Sequence, residues 1–526
     1  MACVLLGLWI YAGLAPKYVS PDGVGYLAYL ISIVSDADLD FENEFRSMHF
    51  SGPLAVTETG YIANIWPPGT ALYLSPFYLA AWVIHALLHP LIGMPVRAWC
   101  IVFANAGSTL YGVAAVWMAC RFLRSLGLTA SQAPACAAAV FAGTPLCYYT
   151  IHMPNSPYPV SAFAVSLFLS DCLKSSNTKD PRWDRWAWRG ILLGLAATIR
   201  TENLLFGVVP VADWIARIVR ESGRKREIAA EGLVFAVGGL IGFSPQLAVW
   251  QILYGSVLNS PQGFNIGFHN FALYEVIFSP FHGVVPWTPI VVMGLAGFFC
   301  RGASAEQRIA LALSVGIQIL LISFTAAWWG GHAFGPRVLT GGYFAICVGV
   351  SLMIQTAARF GRRAEAAVWA AIAIVSGWTF SLSLQSMIGW INLTEIVTDG
   401  RTLLAWQARA PRALAEASLS FGGAGHLSAA ASAVAFAILG MATWSLARFS
   451  KRLLAEGPAR RRCVIAGVLI LVVHVAFLAA DRNRPDPGLR NRAAYSDPAK
   501  LSNFFLDQAH RIRLEYDQTR SGRPVR

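Results

Sequence analysis

Apolar runs of about 20 residues recur along most of the chain, continuous rather than alternating. Each run is closed by a short polar or charged stretch. As an α-helix, a run of that length spans ~30 Å of hydrocarbon. The continuity excludes a transmembrane barrel, whose strands alternate apolar and polar positions. The pattern predicts about 13 spanning helices, near 2–15, 98–119, 131–149, 157–173, 188–200, 203–216, 230–252, 284–300, 308–327, 338–358, 364–383, 426–447 and 463–480. The first of these is short for a crossing, which leads us to expect a longer natural start.

One further apolar run, Gly69–Leu88, is assigned by the charges around it. Six short basic loops, Arg121–Arg124, Lys174–Arg189, Arg217–Arg226, Arg301–Arg308, Arg359–Arg363 and Arg448–Arg462, hold 23 of the 41 Lys and Arg. The positive-inside rule puts all six in the cytoplasm. They alternate with basic-poor loops only if Gly69–Leu88 does not cross. Pro67, Pro68 and Pro76 suit a broken entry. The run is therefore expected to lie in the outer interface or to re-enter from it. The basic loops then serve as topology signals that meet anionic headgroups. The tail after Ala480, with ten Lys/Arg and six Asp/Glu, falls outside by the same parity.

Composition agrees with a polytopic all-α membrane protein. Of 526 residues 56% are hydrophobic and only 13% charged, and mean hydropathy is +0.52. A soluble chain of this length carries more charge. The net charge of +13 sits largely on one set of loops, so no nucleic-acid partner is expected. Nine cysteines are scattered singly without a CxxC, and residues such as Cys136, Cys147 and Cys347 read as small buried hydrophobes rather than disulfide or metal ligands.

The unusual chemistry collects on the non-cytoplasmic side. The stretch "SPDGVGYLAYLISIVSDADLDFENEF" holds six acids and no Lys or Arg directly after the first span. Asp22 fits a helix N-cap as well as a functional acid. Asp36, Asp38 and Asp40 have the spacing of a calcium loop, but the glycine and the distal acid are missing, with Ser47 in the last position. They are expected to face a polar acceptor or solvent, not to form an obligatory metal site. Arg200 and Glu202 end an apolar run, as an ion pair at the interface or with Arg200 turned toward an anion. In "WWGGHAFGPR", Trp328 and Trp329 suit an interfacial belt or stacking on a sugar, His332 is a polar candidate, and Arg337 closes the loop.

The segments "PDGVGYLAYLISIVSDADLDFENEF", "YIANIWPPGTALYLSPFYL", "IRTENLLFGVVP", "FSPFHGVVPWTP" and "WWGGHAFGPRVL" together resemble the bacterial GT-C membrane glycosyltransferases, nearest to the protein-mannosyltransferase-like members of glycosyltransferase family 39. The resemblance covers roughly residues 1–360. It implies a GT-C-type bundle with interfacial helices in the first external loop. It implies transfer of a sugar from a polyprenyl phosphate or diphosphate to a lipid, glycan or protein acceptor. By match, Asp22 takes the catalytic position, and Arg200 and Arg337 the donor phosphate. The paired-acid form of the first-loop motif does not carry over, because Gly23 follows Asp22. No cofactor is expected. The setting implied is a bacterial inner membrane, with the site on the periplasmic or external side.

A carboxylate beside the acceptor hydroxyl takes its proton as it attacks, and arginine matches the leaving phosphate. The other class in play is a lipid or solute transporter, which predicts inverted repeats and mid-membrane broken helices. No internal repeat is visible. The chain divides into a catalytic module, 1–383, a further loop and helices, 384–480, and a basic tail, 481–526.

Overall fold

The computed structural model describes residues 19–419, except 51, 53, 90–91, 174–182, 259–260, 262–265, 332, 388–389, 394–396 and 398–399. The expected spans at 2–15, 426–447 and 463–480, the tail from 481 and the candidate His332 lie outside the described residues.

Among the described residues the chain is helical, with two isolated bridges, Val56 to Ile62 and Ile266 to Thr325. Helices α1 (Pro21–Ile31), α2 (Glu42–Ser47) and α3 (Gly69–Leu88) form the first loop. Next come α4 (Val96–Ser125), α5 (Gln132–Ala142), α6 (Pro145–Ile151), α7 (Tyr158–Cys172), α8 (Trp183–Ile199), α9 (Val208–Arg220) and α10 (Lys225–Tyr254). They are followed by α11 (Leu273–Phe278), α12 (Val284–Trp287), α13 (Pro289–Gly297), α14 (Ala305–Ser323), α15 (Tyr343–Arg359), α16 (Arg362–Met387) and α17 (Gly400–Leu419).

Six of the described helices are long and apolar enough to cross a membrane, and α5 with α6 pass as a seventh span bent by 81°. The straight span expected over 131–149 is thus broken. Pro145 has no N–H to continue the ladder from Gly143 and starts a new helix instead. Likewise 284–300 divides at Thr288, just before Pro289.

Close backbone approach holds the bundle. Gly190 and Gly194 of α8 lie against the α10 backbone at Phe235 and Gly239, and Gly238 and Gly242 of α10 against Ala187 and Ile191. Small residues four apart allow this contact between helices that lipid does not drive together. The paired numbers rise together, so α8 and α10 run parallel and α9 returns between them. At the basic end of these helices, Arg189 Nε meets Asp171 at 3.1 Å and Arg217 Nη1 meets Glu231 at 2.6 Å. Part of the basic-loop charge is therefore matched by protein acids. Arg200, just past the other end of α8, is separated from Arg189 by about 16 Å of helix.

The first loop folds back onto α1. The Tyr29 hydroxyl donates to the Trp66 carbonyl at 2.9 Å, and Asn64 Nδ2 donates to the Gly25 carbonyl at 2.9 Å. Tyr29, Phe41, Phe45, Phe50 and Trp66 form a continuous aromatic stack beside it. Gly25 lies directly under the Trp66 ring, where a Cβ would collide with it.

Helix α3 is one continuous 20-residue element despite Pro76, and it has the length and hydropathy of a spanning helix. Its first residue packs on the backbone of Thr198 and Ile199, at the Arg200 end of α8. Where its other end lies fixes the topology. Gly93 and Gly223 are open positions, since a Cβ on either meets nothing within 4 Å. With α3 in the outer interface, Gly93→Cys reacts with an impermeant thiol reagent from outside, and Gly223→Cys reacts only after permeabilisation. The reverse pattern, with Gly223→Cys labelled from outside and Gly93→Cys protected, would place α3 across the membrane.

Candidate active site

Ser20 caps α1. Its Oγ accepts from the Gly23 N–H at 3.0 Å and donates to Asn155 Oδ1 at 3.0 Å. Asp22 is in the first turn, so it is not the cap. There the helix dipole favours its negative charge. Asp22 Oδ2 accepts from Arg337 Nη1 at 2.9 Å, and Asp22 Oδ1 accepts from Trp66 Nε1 at 3.2 Å. The carboxylate is 38% exposed and the Arg337 side chain 23%. The pair joins residues 315 positions apart.

Gly23 explains the missing second acid. A Cβ there would meet Asn155 Oδ1 at 2.5 Å, and Asn155 is the residue that holds Ser20. A side chain after Asp22 would displace the element that fixes the start of α1.

Arg337 is held by its own loop. Gly330 and Gly331, at φ 77° and 80°, turn the chain back so that a Cβ on either would sit 3.5 Å from the guanidinium. Left-handed φ at both positions favours glycine. The Arg337 guanidinium lies 5.7 Å from the Tyr158 ring centroid, and the Arg200 guanidinium 4.6 Å from the same ring. Tyr158 starts α7, is buried, and packs on Tyr149 at 4.3 Å. Tyr26, one turn after Asp22 on α1, is also buried. Burial, and then the Asp22 carboxylate, push its phenol well above the usual value, so it stays neutral. The site therefore gathers two guanidiniums, two carboxylates and the neutral Tyr26 phenol beside the Tyr158 ring.

The predicted residues divide. Asp22, Arg200 and Arg337 come together, but it is Arg337 that meets Asp22. Arg200 Nε donates to Glu202 Oε1 at 2.7 Å, so its charge is matched two residues along the chain. Asp36, Asp38 and Asp40 do not join them. They lie beyond the far end of α1, whose 11 residues rise about 16 Å. Their carboxylates are turned to local donors. Asp36 accepts from Asn43 Nδ2 at 2.8 Å, Asp38 from Ser32 Oγ at 2.7 Å, and Asp40 from the Glu42 N–H at 3.3 Å. Behind them Glu44 is fully buried, and that burial, with Asp36 adding to it, pushes its carboxyl up to about 7.

Among the described residues no group of three His, Cys, Asp or Glu is placed to hold a metal ion. Trp328 and Trp329 are not open stacking faces. They are 7% and 3% exposed, set edge-on at 5.8 Å, and packed on Phe281.

Sequence reading missed Trp66, Tyr158, Asn155 and His282. Trp66 immediately precedes the Pro67–Pro68 pair, Asn155 lies in the turn between α6 and α7, and Tyr158 starts α7. His282 is buried at φ 65°, and its Nδ1 donates to the Trp329 carbonyl at 2.9 Å.

No protein-family profile and no curated protein matches the chain. Among solved structures it is similar to ArnT from Cupriavidus metallidurans bound to undecaprenyl phosphate, with a TM-score of 0.51 and 15% identity, over 91% of this chain and 76% of that one. The apo state of the same protein aligns with a TM-score of 0.49 and 14% identity, over the same shares. At this identity the likeness to the first structure shows the fold. It is a GT-C-like polytopic helical bundle, as predicted.

Proposed function

We propose that this protein is a membrane glycosyltransferase that moves a sugar from a polyprenyl phosphate or diphosphate to an acceptor hydroxyl. The reaction takes place on the non-cytoplasmic face of a bacterial inner membrane. The observation that carries this reading is the Asp22–Arg337 pair at 2.9 Å, with the Arg200 guanidinium beside it across Tyr158. It is supported by the undecaprenyl phosphate bound in a protein of the same fold. The protein-mannosyltransferase-like branch of family 39 is the finer assignment within this reading.

In the proposed step, the acceptor oxygen attacks the anomeric carbon while Asp22 takes its proton. The bond from that carbon to the phosphate oxygen breaks, and the lipid phosphate leaves with the electron pair. Arg337 is placed to receive this growing charge, in a part-buried layer where a charge-assisted bond is strong. Moving from Asp22 to the phosphate, it also frees the carboxylate to accept the proton. Arg200, beside the same Tyr158 ring, adds positive charge. The reaction needs no cofactor, and the acceptor is a lipid, a glycan or a protein.

Mass spectrometry of the cell envelope from a strain lacking the gene tests this reading. Loss of one sugar decoration, restored by the wild-type gene but not by a gene carrying Asp22→Asn, is the expected result. An unchanged envelope would count against it.

A further inference from the structure

The two oxygens of Asp22 are held by unlike donors. Oδ2 meets the Arg337 guanidinium at 2.9 Å, and Oδ1 meets the Trp66 indole N–H at 3.2 Å. Trp66 is 6% exposed and fixed from several sides. Its backbone N–H donates to Asn64 Oδ1 at 3.1 Å, and its carbonyl accepts from the Tyr29 hydroxyl at 2.9 Å. Asn64 is tied in turn to the Gly25 carbonyl. Pro67 follows directly and restricts the Trp66 backbone further. The ring lies over Gly25 and meets Phe45 and Phe50 edge-on. Asp22, Gly25 and Tyr29 are spaced i, i+3 and i+7, so one face of α1 carries the carboxylate, the seat for the ring and the anchor for its backbone. The indole nitrogen is the one polar group of this side chain, and it is aimed at Asp22.

We propose that Trp66 is a positioning residue that fixes the plane of the Asp22 carboxylate and makes Oδ2 the atom that takes the acceptor's proton. The terminal torsion of an aspartate is soft. A carboxylate released by Arg337 as that arginine turns to the leaving group would swing unless a second donor kept hold of it. Trp66 is that donor. It is locked by its own packing, and an indole N–H cannot accept the proton itself. Oδ1 therefore stays bonded while Oδ2 becomes free. The proposal rests on the reading of Asp22 as the base and names the reacting oxygen and the group that orients it.

Trp66→Phe keeps an aromatic ring over Gly25 and deletes the N–H. Tyr29→Phe keeps its ring and deletes the hydroxyl that holds the Trp66 carbonyl. Each is made in the full-length protein, alone and together with Asp22→Asn. Transfer is followed with labelled polyprenyl-linked sugars extracted from the host membrane and host envelope acceptors. Trp66→Phe lowers kcat about tenfold, the scale of one hydrogen bond to a charged group, and leaves the donor KM unchanged. Tyr29→Phe lowers kcat severalfold. Neither slows the Asp22→Asn protein further, because both act through the carboxylate. Wild-type kcat in Trp66→Phe overturns the proposal. So does an equal loss with and without Asp22→Asn, which makes Trp66 a packing element only, and so does a raised donor KM at unchanged kcat, which makes it a donor contact. Should Trp66→Phe give no folded protein, the Tyr29→Phe pair decides by the same comparison. A slow Asp22→Asn protein beside a wild-type Trp66→Phe protein defeats the positioning role alone, whereas an Asp22→Asn protein as fast as wild type defeats the base reading and this proposal with it.

Discussion

Asp22→Asn lowers sugar transfer by roughly 10²-fold or more, the range for losing a general base, with folding largely preserved. The amide still accepts from Trp66 but no longer takes a proton from the acceptor. Because Ser20 and not Asp22 caps α1, no cap is lost in this variant. The ion pair with Arg337 is part-exposed, so its loss costs about 1 kcal/mol or less. Initial rates under saturating donor, with melting temperatures beside them, make the check. Near-wild-type turnover would reduce Asp22 to an anchor for Arg337.

Arg337→Gln separates two roles for the arginine. If it only holds Asp22, the variant leaves donor affinity intact, and in combination with Asp22→Asn it does no further harm. If it takes the phosphate, donor affinity falls in the single variant and in the double variant alike, while Asp22→Asn alone leaves it unchanged. The expected loss in kcat/KM is about 10²- to 10³-fold, as for removal of one donor to a developing oxyanion. Arg337→Lys keeps the charge without the two-pronged geometry and recovers only part of it. A loss of folded yield that parallels the loss of rate would mark the pair as structural.

The membrane class was legible because hydropathy reports span length directly, and the external candidates were legible because ionisable residues at the ends of spans are rare. Asp22 pairs with Arg337, and Arg200 and Arg337 both lie by the Tyr158 ring. Their pairing was not legible. Arg200 stands beside Glu202 in sequence and takes it as partner, whereas the Asp22–Arg337 contact closes 315 residues and follows from how α1, α7 and the loop before α15 pack. The densest acidic stretch looked the most functional by composition. Its aspartates instead satisfy local donors past the end of α1, a choice set by the turn at Ala37, φ 58°. Trp66 and Tyr158 were invisible as site residues because an aromatic in an apolar chain carries no charge signal. Gly23 shows the converse. Its departure from the paired-acid pattern has a packing cause, Asn155, that only the folded chain displays.

The most direct measurement of the central claim uses the purified full-length protein, metabolically labelled polyprenyl-linked sugars extracted from the host membrane, and host envelope acceptors, in excess chelator. The account predicts release of sugar-free polyprenyl phosphate in step with label appearing on the acceptor. Both fall by roughly 10²-fold or more in the Asp22→Asn protein and are sustained without divalent metal. Polyprenyl phosphate released equally by wild type and the Asp22→Asn protein, or by neither, would contradict it.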